Sequence, residues 1–560
     1  MGKTKKKTTP KNTPLRIIPL GGLCEIGKNM TAIEYGNDIV IIDCGMAFPE
    51  ANMPGVDCVI QDYTYIRDNI NKLRGIIVTH GHEDHIGGLP YFMREFPCPI
   101  YGGKLAIELV RHKLMEHGVS FNGISLEAFR NGDRVLIGSS FEAEFIRVNH
   151  SIADSYAIAI KTPVGTILHS GDFKVDYTPI NGKPIDLQRF GQIGRDGVLL
   201  FMCESTNIEI EGNSPSERHV GEAFQRLFKD ANGRIIVATF SSHVHRMQQI
   251  FTAAEKYDRH VCLSGRSMLN VFKVANSLGY IEMKKDTLID IGDIDNYDDD
   301  EIVILTTGSQ AEPMSALSRM AYASHKAVEI KEGDTVIISA DPIPGNERSI
   351  YNVINELYRQ GATVIYHSLE DVHVSGHAYR NEIKLLHSLI KPKYVMPVHG
   401  EYRMLYLHKQ LAMSLGTPEE NIFVMNNGDV LSITPESAGI TETVPAAAVL
   451  LDGNGVADIN SRILTDRLHL GEDGVIAIGL VIDERTGELL APPVISSIGF
   501  VFEEEKAEIH REILMKVVST LPKREIESAV NKNAYREQIR GLCFSKTRKR
   551  PLILFNVTKI

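Results

Sequence analysis

The chain has 560 residues, 43% of them apolar and 23% charged, with a net charge of −11. At roughly 100–200 residues per domain this length predicts three to five folding units, and the composition is that of a globular chain, not a disordered or collagen-like one. The acidic balance excludes a globally basic nucleic-acid binder, so any polyanion must be attracted by local patches or bound cations. No run reaches the ~18–20 apolar residues of a bilayer span, so no membrane span is expected. The start MGKTKKKTTPKNTP lacks the apolar core of a secretory signal. The seven cysteines are scattered without a CxxC pair, which argues against a disulfide framework or a thiolate zinc site and for a reducing cytoplasm.

Residues 1–13 read as a flexible basic tail. From residue 15 come short runs rich in Ile and Val and bounded by Gly, Pro, Asn or Asp: LRIIPLGG, DIVIIDCG, GIIVTHG, EAEFIRVNH, SYAIAIKTP, GTILHSGD and GVLLFMCES. That pattern predicts strands, with helical patterning only around KLAIELVRHKLMEHG. From about residue 214 helices and strands alternate (HVGEAFQRLFKDA, RIIVATF, HRMQQIFTAAEKY, VCLSG), predicting βαβ units on a parallel sheet. The stretch TPESAGITETVPAAA reads as a linker near 434–448, and another α/β unit with the strands VIAIGLVID and PLILFNV closes the chain.

The sharpest chemical signal is THGHEDH, residues 79–85, directly after the apolar strand GIIV. Clustered imidazoles and carboxylates gain nothing in a structural loop, whereas a divalent cation explains them. One loop cannot fill two metal shells, and further candidates end later strands: His150 in RVNH, Asp172 in HSGDF and His399 in PVHG. The expected arrangement has His80, His82 and His150 on one ion, Asp84, His85 and His399 on a second, and Asp172 bridging. Imidazoles with carboxylates suit zinc first and manganese second. Two such ions activate water at neutral pH and offset the charge that builds up in phosphodiester hydrolysis. Asp43 and Glu204, at strand ends, are expected to orient ligand imidazoles. His377, in a Ser-Gly-His turn, is expected to donate a hydrogen bond or proton to the phosphate or leaving oxygen. Asp84, Asp172 and His377 are thus the expected catalytic residues. Ser241, Ser242 and His243, before a helix, and the turn His373, Val374, Ser375, Gly376 and His377 offer hydroxyls, imidazoles and backbone N–H groups suited to a phosphate.

These motifs resemble the metallo-β-lactamase superfamily, whose HxHxDH motif and later His, Asp and terminal His are matched here. Glu204 in CEST, His377 in HVSGHA and His399 in PVHGEYR resemble motifs A, B and C of its β-CASP branch, which acts on nucleic acids, although motif A carries Glu where Asp is commoner. IIPLGGLCEIGKNM, FPEANMPGVD, ATFSSHVHR, TTGSQAEPMSALSRMA, PIPGN and KTRKRPLIL are similar to the bacterial ribonuclease J family over nearly the full length. The resemblance implies an α/β architecture: an αββα metallo-β-lactamase sandwich (14–213 and 367–433), an inserted β-CASP α/β domain (214–366), a linker (434–455) and a small C-terminal α/β domain (456–560). It implies a cytoplasmic two-metal ribonuclease acting on single-stranded RNA, a 5′→3′ exonuclease preferring 5′-monophosphate ends and also an endonuclease, working in mRNA turnover and rRNA maturation. It further implies end recognition by 241–243 and 373–377, and a structural calcium or magnesium near Gly55, Asp57 and Asp452. Homodimers or homotetramers through the C-terminal domain, and hetero-complexes with other RNA-degradation proteins, follow from the same likeness. Hydrolysis of a small ester, thioester or lactam is the first rival, against which the inserted block of about 150 residues would be superfluous. A non-catalytic partner subunit is the second, and it would need no complete ligand set.

Overall fold

The run DIVII becomes the strand Asp38–Ile42 with every residue buried, because a strand covered on both faces needs no polar alternation. The same holds for Met30–Tyr35 and Leu200–Glu204. The computed structural model describes residues 13–50, 52–180, 182–310, 315–342, 346–453, 457–458 and 461–560. The expected basic tail lies outside these apart from Thr13. The chain divides into two compact units, one built from the residues up to Ala47 with Ile60–Ala448, the other from Phe48–Val59 with Val449–Ile560.

The larger unit contains an eight-stranded and a six-stranded sheet. Leu15, Ile33, Val40 and Ile77 of the first meet Phe145, Ile158, Leu200 and Met396 of the second in one apolar core. Outside the second sheet, Phe201 and Cys203 pack with Phe190, Leu386, Met404 and Leu411 of the helices Leu187–Asp196, Arg380–Ile390 and Tyr402–Ser414. Helix Lys104–Glu116 lies against the first sheet. The result is the αββα sandwich. Between Leu200–Glu204 and Tyr394–Val398 the chain forms a five-stranded parallel sheet ordered His260–Ser264, Ile302–Thr306, Ile235–Ala238, Thr335–Ile338, Thr363–Tyr366, the βαβ pattern expected there.

The structure departs from the expectation in several places. Helical structure before residue 214 is not confined to the segment around Lys104–Glu116: Leu187–Asp196 is also a helix, its amphipathic pattern hidden by Gly191 and Gly194 and its start fixed by Asp186, whose side chain accepts from Arg189 N–H. The expected linker 434–455 contains two strands. Ala438–Thr443 forms the edge of the eight-stranded sheet beside Asp429–Ile433, and Ala448–Asp452 follows it. Polar and small residues are tolerated there because an edge strand faces solvent. The C-terminal unit begins at Val449 and recruits Phe48–Val59, held by Asp57 N–H to Leu451 O at 2.8 Å. It carries the three-stranded sheet Val494–Ile498, Val475–Ile482, Leu552–Lys559, covered by the helices Glu503–Thr520 and Asn533–Thr547 around Ile478, Val517 and Ile539.

Candidate metal centre

Strands Thr166–His169, Leu200–Glu204 and Tyr394–Val398 run parallel and in register, so Asp172, Glu204 and His399 emerge on one rim. In open α/β sheets, ligand sites lie at such carboxyl ends of the strands. The loop after Leu73–Ile77 brings His80, His82, Asp84 and His85 to the same rim, and the loop after Phe141–Arg147 brings His150. Asp43 and His399 are non-glycine residues held at φ 59° and 50°, a left-handed conformation that costs of order 1–3 kcal/mol and that the surrounding packing must impose.

All seven expected ligands converge, in two groups joined by Asp172. His80 Nε2 and His150 Nε2 each lie 3.1 Å from His82 Nδ1, and Asp172 Oδ2 lies 3.6 and 3.7 Å from the same Nε2 atoms. On its other side Asp172 Oδ2 is 3.2 Å from His85 Nε2, while Asp84 Oδ2 is 3.4 Å from both His85 Nε2 and His399 Nε2. His399 Nδ1 also meets Asp172 Oδ1 at 2.8 Å.

The tautomers test whether this donor set suits a metal. His150 Nδ1 is 2.7 Å from Gly376 O, which can only accept, so Nδ1 carries the proton and the Nε2 lone pair faces inward. His85 Nδ1 stands 2.7 Å from Asp43 Oδ2 and is fixed in the same sense. Thr79 donates its hydroxyl to Asp43 Oδ2 at 2.8 Å, which leaves its oxygen to accept from His80 Nδ1–H at 3.0 Å. Outward anchoring of this kind orients metal-binding imidazoles. Burial pushes His80 and His150 well below the ordinary histidine value and His82 down to about 4. The inward lone pairs of His80 and His150 thus converge on the neutral His82 ring, an arrangement a cation relieves. Burial also opposes charge on His85, but Asp172, Asp84 and Asp43 outweigh it and hold that ring well above its ordinary value. Against the same desolvation, His399 and His85 keep the Asp172 carboxyl well below the usual range. Imidazoles on one side and carboxylates with imidazoles on the other fit borderline divalent ions.

Around this core the expected orienting residues take part. Asp43 also accepts from Thr79 N–H at 2.8 Å. Glu204 accepts from Phe173 N–H at 2.7 Å through Oε1 and meets His377 Nδ1 at 2.7 Å through Oε2. Burial opposes a charge on His377, yet Glu204 and Asp172 together raise it to about 9. Its Nε2 has no hydrogen-bond partner among the described residues. Gly376 must be glycine, since a Cβ there would stand 2.9 Å from the His150 ring.

The turn 373–377 and the segment 241–243 meet through their histidines. The His243 and His373 rings stack at 6.3 Å, and His243 lies 6.5 Å from His82. Ser375 Oγ accepts from Asn207 Nδ2 at 2.8 Å and from His377 N–H at 3.2 Å, leaving its own proton to donate. Ser241 and Ser242 occupy the turn before helix Val244–Lys256, with Ser242 O accepting from Val244 N–H at 2.8 Å; Val374 is buried beneath the turn.

Several residues at the site were not legible in the sequence. Buried Lys174 donates to Ser375 O at 3.2 Å, and fully buried Arg246 pairs with Glu217 while its Nη1 donates to His373 Nδ1 at 2.9 Å. Asn29 Nδ2 bonds Asp84 O at 3.1 Å, and His169 lines the cleft beside His85 and His399. At Gly55, Asp57 and Asp452, where the resemblance implies a structural cation, the structure shows a side-chain partner. The Arg467 guanidinium occupies that position, with Nη1 on Gly55 O at 3.1 Å and Nη2 on Asp452 at 2.5 Å, while Asp57 Oδ2 accepts from Gly453 N–H.

Family models match along the chain: Metallo-beta-lactamase superfamily over residues 25–198, Ribonuclease J, beta-CASP domain over 232–357, Zn-dependent metallo-hydrolase RNA specificity domain over 362–425, and Ribonuclease J C-terminal domain over 462–560. Ribonuclease J 1 of Streptococcus pyogenes is 42% identical over 542 residues, covering 96% of both chains. The chain belongs to the ribonuclease J family. Ribonuclease J of Synechocystis is 43% identical, covering 93% of this chain and 81% of its own. That of Thermus thermophilus is 44% identical, covering 83% and 82%. A solved protein of unknown function from Enterococcus faecalis shares the fold of this ribonuclease J family member at 16% identity and TM-score 0.52, covering 75% of this chain and all of its own.

Proposed function

We propose that this chain holds two divalent ions, zinc before manganese, at His80, His82 and His150 and at Asp84, His85 and His399, with Asp172 shared, and degrades single-stranded RNA from its 5′ end. That it is a metal-dependent ribonuclease follows from family membership. The observation that carries the two-ion reading is the set of inward lone pairs fixed by outward Nδ1–H bonds, grouped on both sides of Asp172.

The ions, when bound, supply an activated water nucleophile and charge neutralisation. The chain's own residues do the rest. Glu204 accepts the His377 Nδ1–H and keeps that ring protonated, so Nε2–H is a donor for a phosphate or leaving oxygen. His373, its Nδ1 occupied by Arg246, presents Nε2–H, and Ser375 presents its hydroxyl. These donors suit a terminal monophosphate. A 5′-hydroxyl would leave them unpaired, at about 1–3 kcal/mol, and a triphosphate would overfill the turn. Internal cleavage depends less on the end. Action in a reducing cytoplasm, in RNA turnover and maturation, as a dimer or tetramer through the C-terminal unit, belongs to the same reading; no helix among the described residues is long and apolar enough to cross a membrane.

The test is hydrolysis of 5′-monophosphate, 5′-hydroxyl and 5′-triphosphate RNA by the purified chain. Mononucleotide release fastest from the monophosphate is expected. Equal rates on all three ends, or digestion from the 3′ end, would overturn the end-recognition reading.

A further inference from the structure

Behind the metal centre lies a second group of ligand-type side chains. Alternation along Leu200–Glu204 sends Glu204 toward the cleft and its neighbour Cys203 to the opposite face, against the helices Arg380–Ile390 and Tyr402–Ser414. Those helices contribute His387 and His408, and all three residues are buried. Their ligand atoms, Cys203 Sγ and one nitrogen from each imidazole, lie within 4.8 Å of one another. His387 Nε2 and His408 Nε2 are 2.9 Å apart, close to the 3.1 Å between the imidazole nitrogens of the metal centre. His408 Nδ1 is anchored at 2.9 Å on Ser205 Oγ, a hydroxyl that can accept from Nδ1–H and so turn the Nε2 lone pair inward. The Phe201 ring stands edge-on to His387 at 5.2 Å.

We infer that Cys203, His387 and His408 form a third, wholly separate cation site for a soft, thiophilic ion. One thiolate and two imidazoles in an enclosed apolar setting make a three-coordinate sulfur–nitrogen site. A thiolate donor suits monovalent copper and zinc alike, but structural zinc almost always takes four protein ligands, so the three ligands grouped here favour the cuprous ion. Binding balances as loss of one proton from the Cys203 thiol, with both rings bound through Nε2 as neutral imidazoles protonated at Nδ1. The proton that the two Nε2 atoms share in the free protein moves to Nδ1 of the ring that carried it.

The position gives the site its consequence. Cys203 immediately precedes Glu204, helix Arg380–Ile390 follows His377, and helix Tyr402–Ser414 follows His399. An ion there would pin together the three elements that carry Glu204, His377 and His399.

The inference stands apart from the two-ion reading, because the histidine–carboxylate centre contains no sulfur ligand, and among the seven cysteines only a metal–sulfur signal lost in Cys203→Ser reports the rear site. The experiment equilibrates the full chain, carrying its catalytic ions, with cuprous ion under reductant and separately with zinc. Metal content is measured after dialysis against a chelator, and X-ray absorption is recorded at the metal edge. One additional equivalent with a sulfur neighbour at about 2.3 Å is expected, lost in Cys203→Ser and in His408→Gln. Retention of zinc through sulfur would support the site with a fourth donor; cuprous retention alone would support the three-coordinate form. An unmodified chain that holds neither ion through sulfur, or a sulfur signal that persists in both variants, would overturn it and leave His387 and His408 as a hydrogen-bonded core pair.

Discussion

Two histidine clusters stand on opposite faces of the strand Leu200–Glu204, and they differ in everything except the distance between their nitrogens. At the front, five rings converge beside Asp84 and Asp172, and the Nδ1–H groups of His80, His85 and His150 point to oxygens outside the cluster. At the rear, two rings face each other at 2.9 Å with a thiol for company and no carboxylate ligand. A nitrogen–nitrogen spacing near 3 Å is therefore compatible with a shared proton or a shared metal. What distinguishes the front cluster is charge and second-partner orientation: two ionised carboxylates demand a cation, whereas a neutral pair can be satisfied by a proton.

Substitutions can break that contrast. His82→Ala removes the nitrogen that both His80 and His150 face, and hydrolysis should be abolished with loss of one ion per chain, read by metal analysis, while circular dichroism stays unchanged. His377→Ala should retain both ions yet lose about 10²–10⁴ in rate, the range of a positioned acid, measured under saturating RNA; impaired metal binding at normal turnover would reverse that assignment. Asp43→Asn keeps the shape but weakens the acceptor for His85 Nδ1–H, and metal affinity should fall about 10–100-fold, read by competition with a chelator. Ser375→Ala removes a single donor worth about 0.5–1.5 kcal/mol. It should narrow the preference for monophosphate over hydroxyl ends by roughly 2–12-fold without altering metal content.

The front cluster was legible because THGHEDH is contiguous and because His150, Asp172 and His399 each follow a strongly apolar strand, where a polar residue announces a strand end. The sandwich was legible for the same reason. The residues that complete the site were not, because their roles come from packing between segments distant in the chain. Arg246 sits inside an apolar helix and reads as a solvent-facing charge, yet it is fully buried against Glu217 and His373. Arg467 reads as one charge among many, and only the fold brings it to Gly55 and Asp452. Cysteine spacing argued against a thiolate metal site, but Cys203 finds its neighbours 184 and 205 residues onward, at His387 and His408. The strand Ala438–Thr443 was hidden by an edge position that asks for no apolar alternation.

The central claim is a pair of ions bridged by one carboxylate, and Asp172→Asn tests it most directly. Asp172 lies 3.6 Å from His80 Nε2 and 3.2 Å from His85 Nε2, so it serves both halves, unlike His82. Metal content and RNA hydrolysis measured on the same folded sample should both collapse, with affinity lost at both positions. Two ions per chain retained at wild-type affinity, or hydrolysis undiminished, would contradict the account.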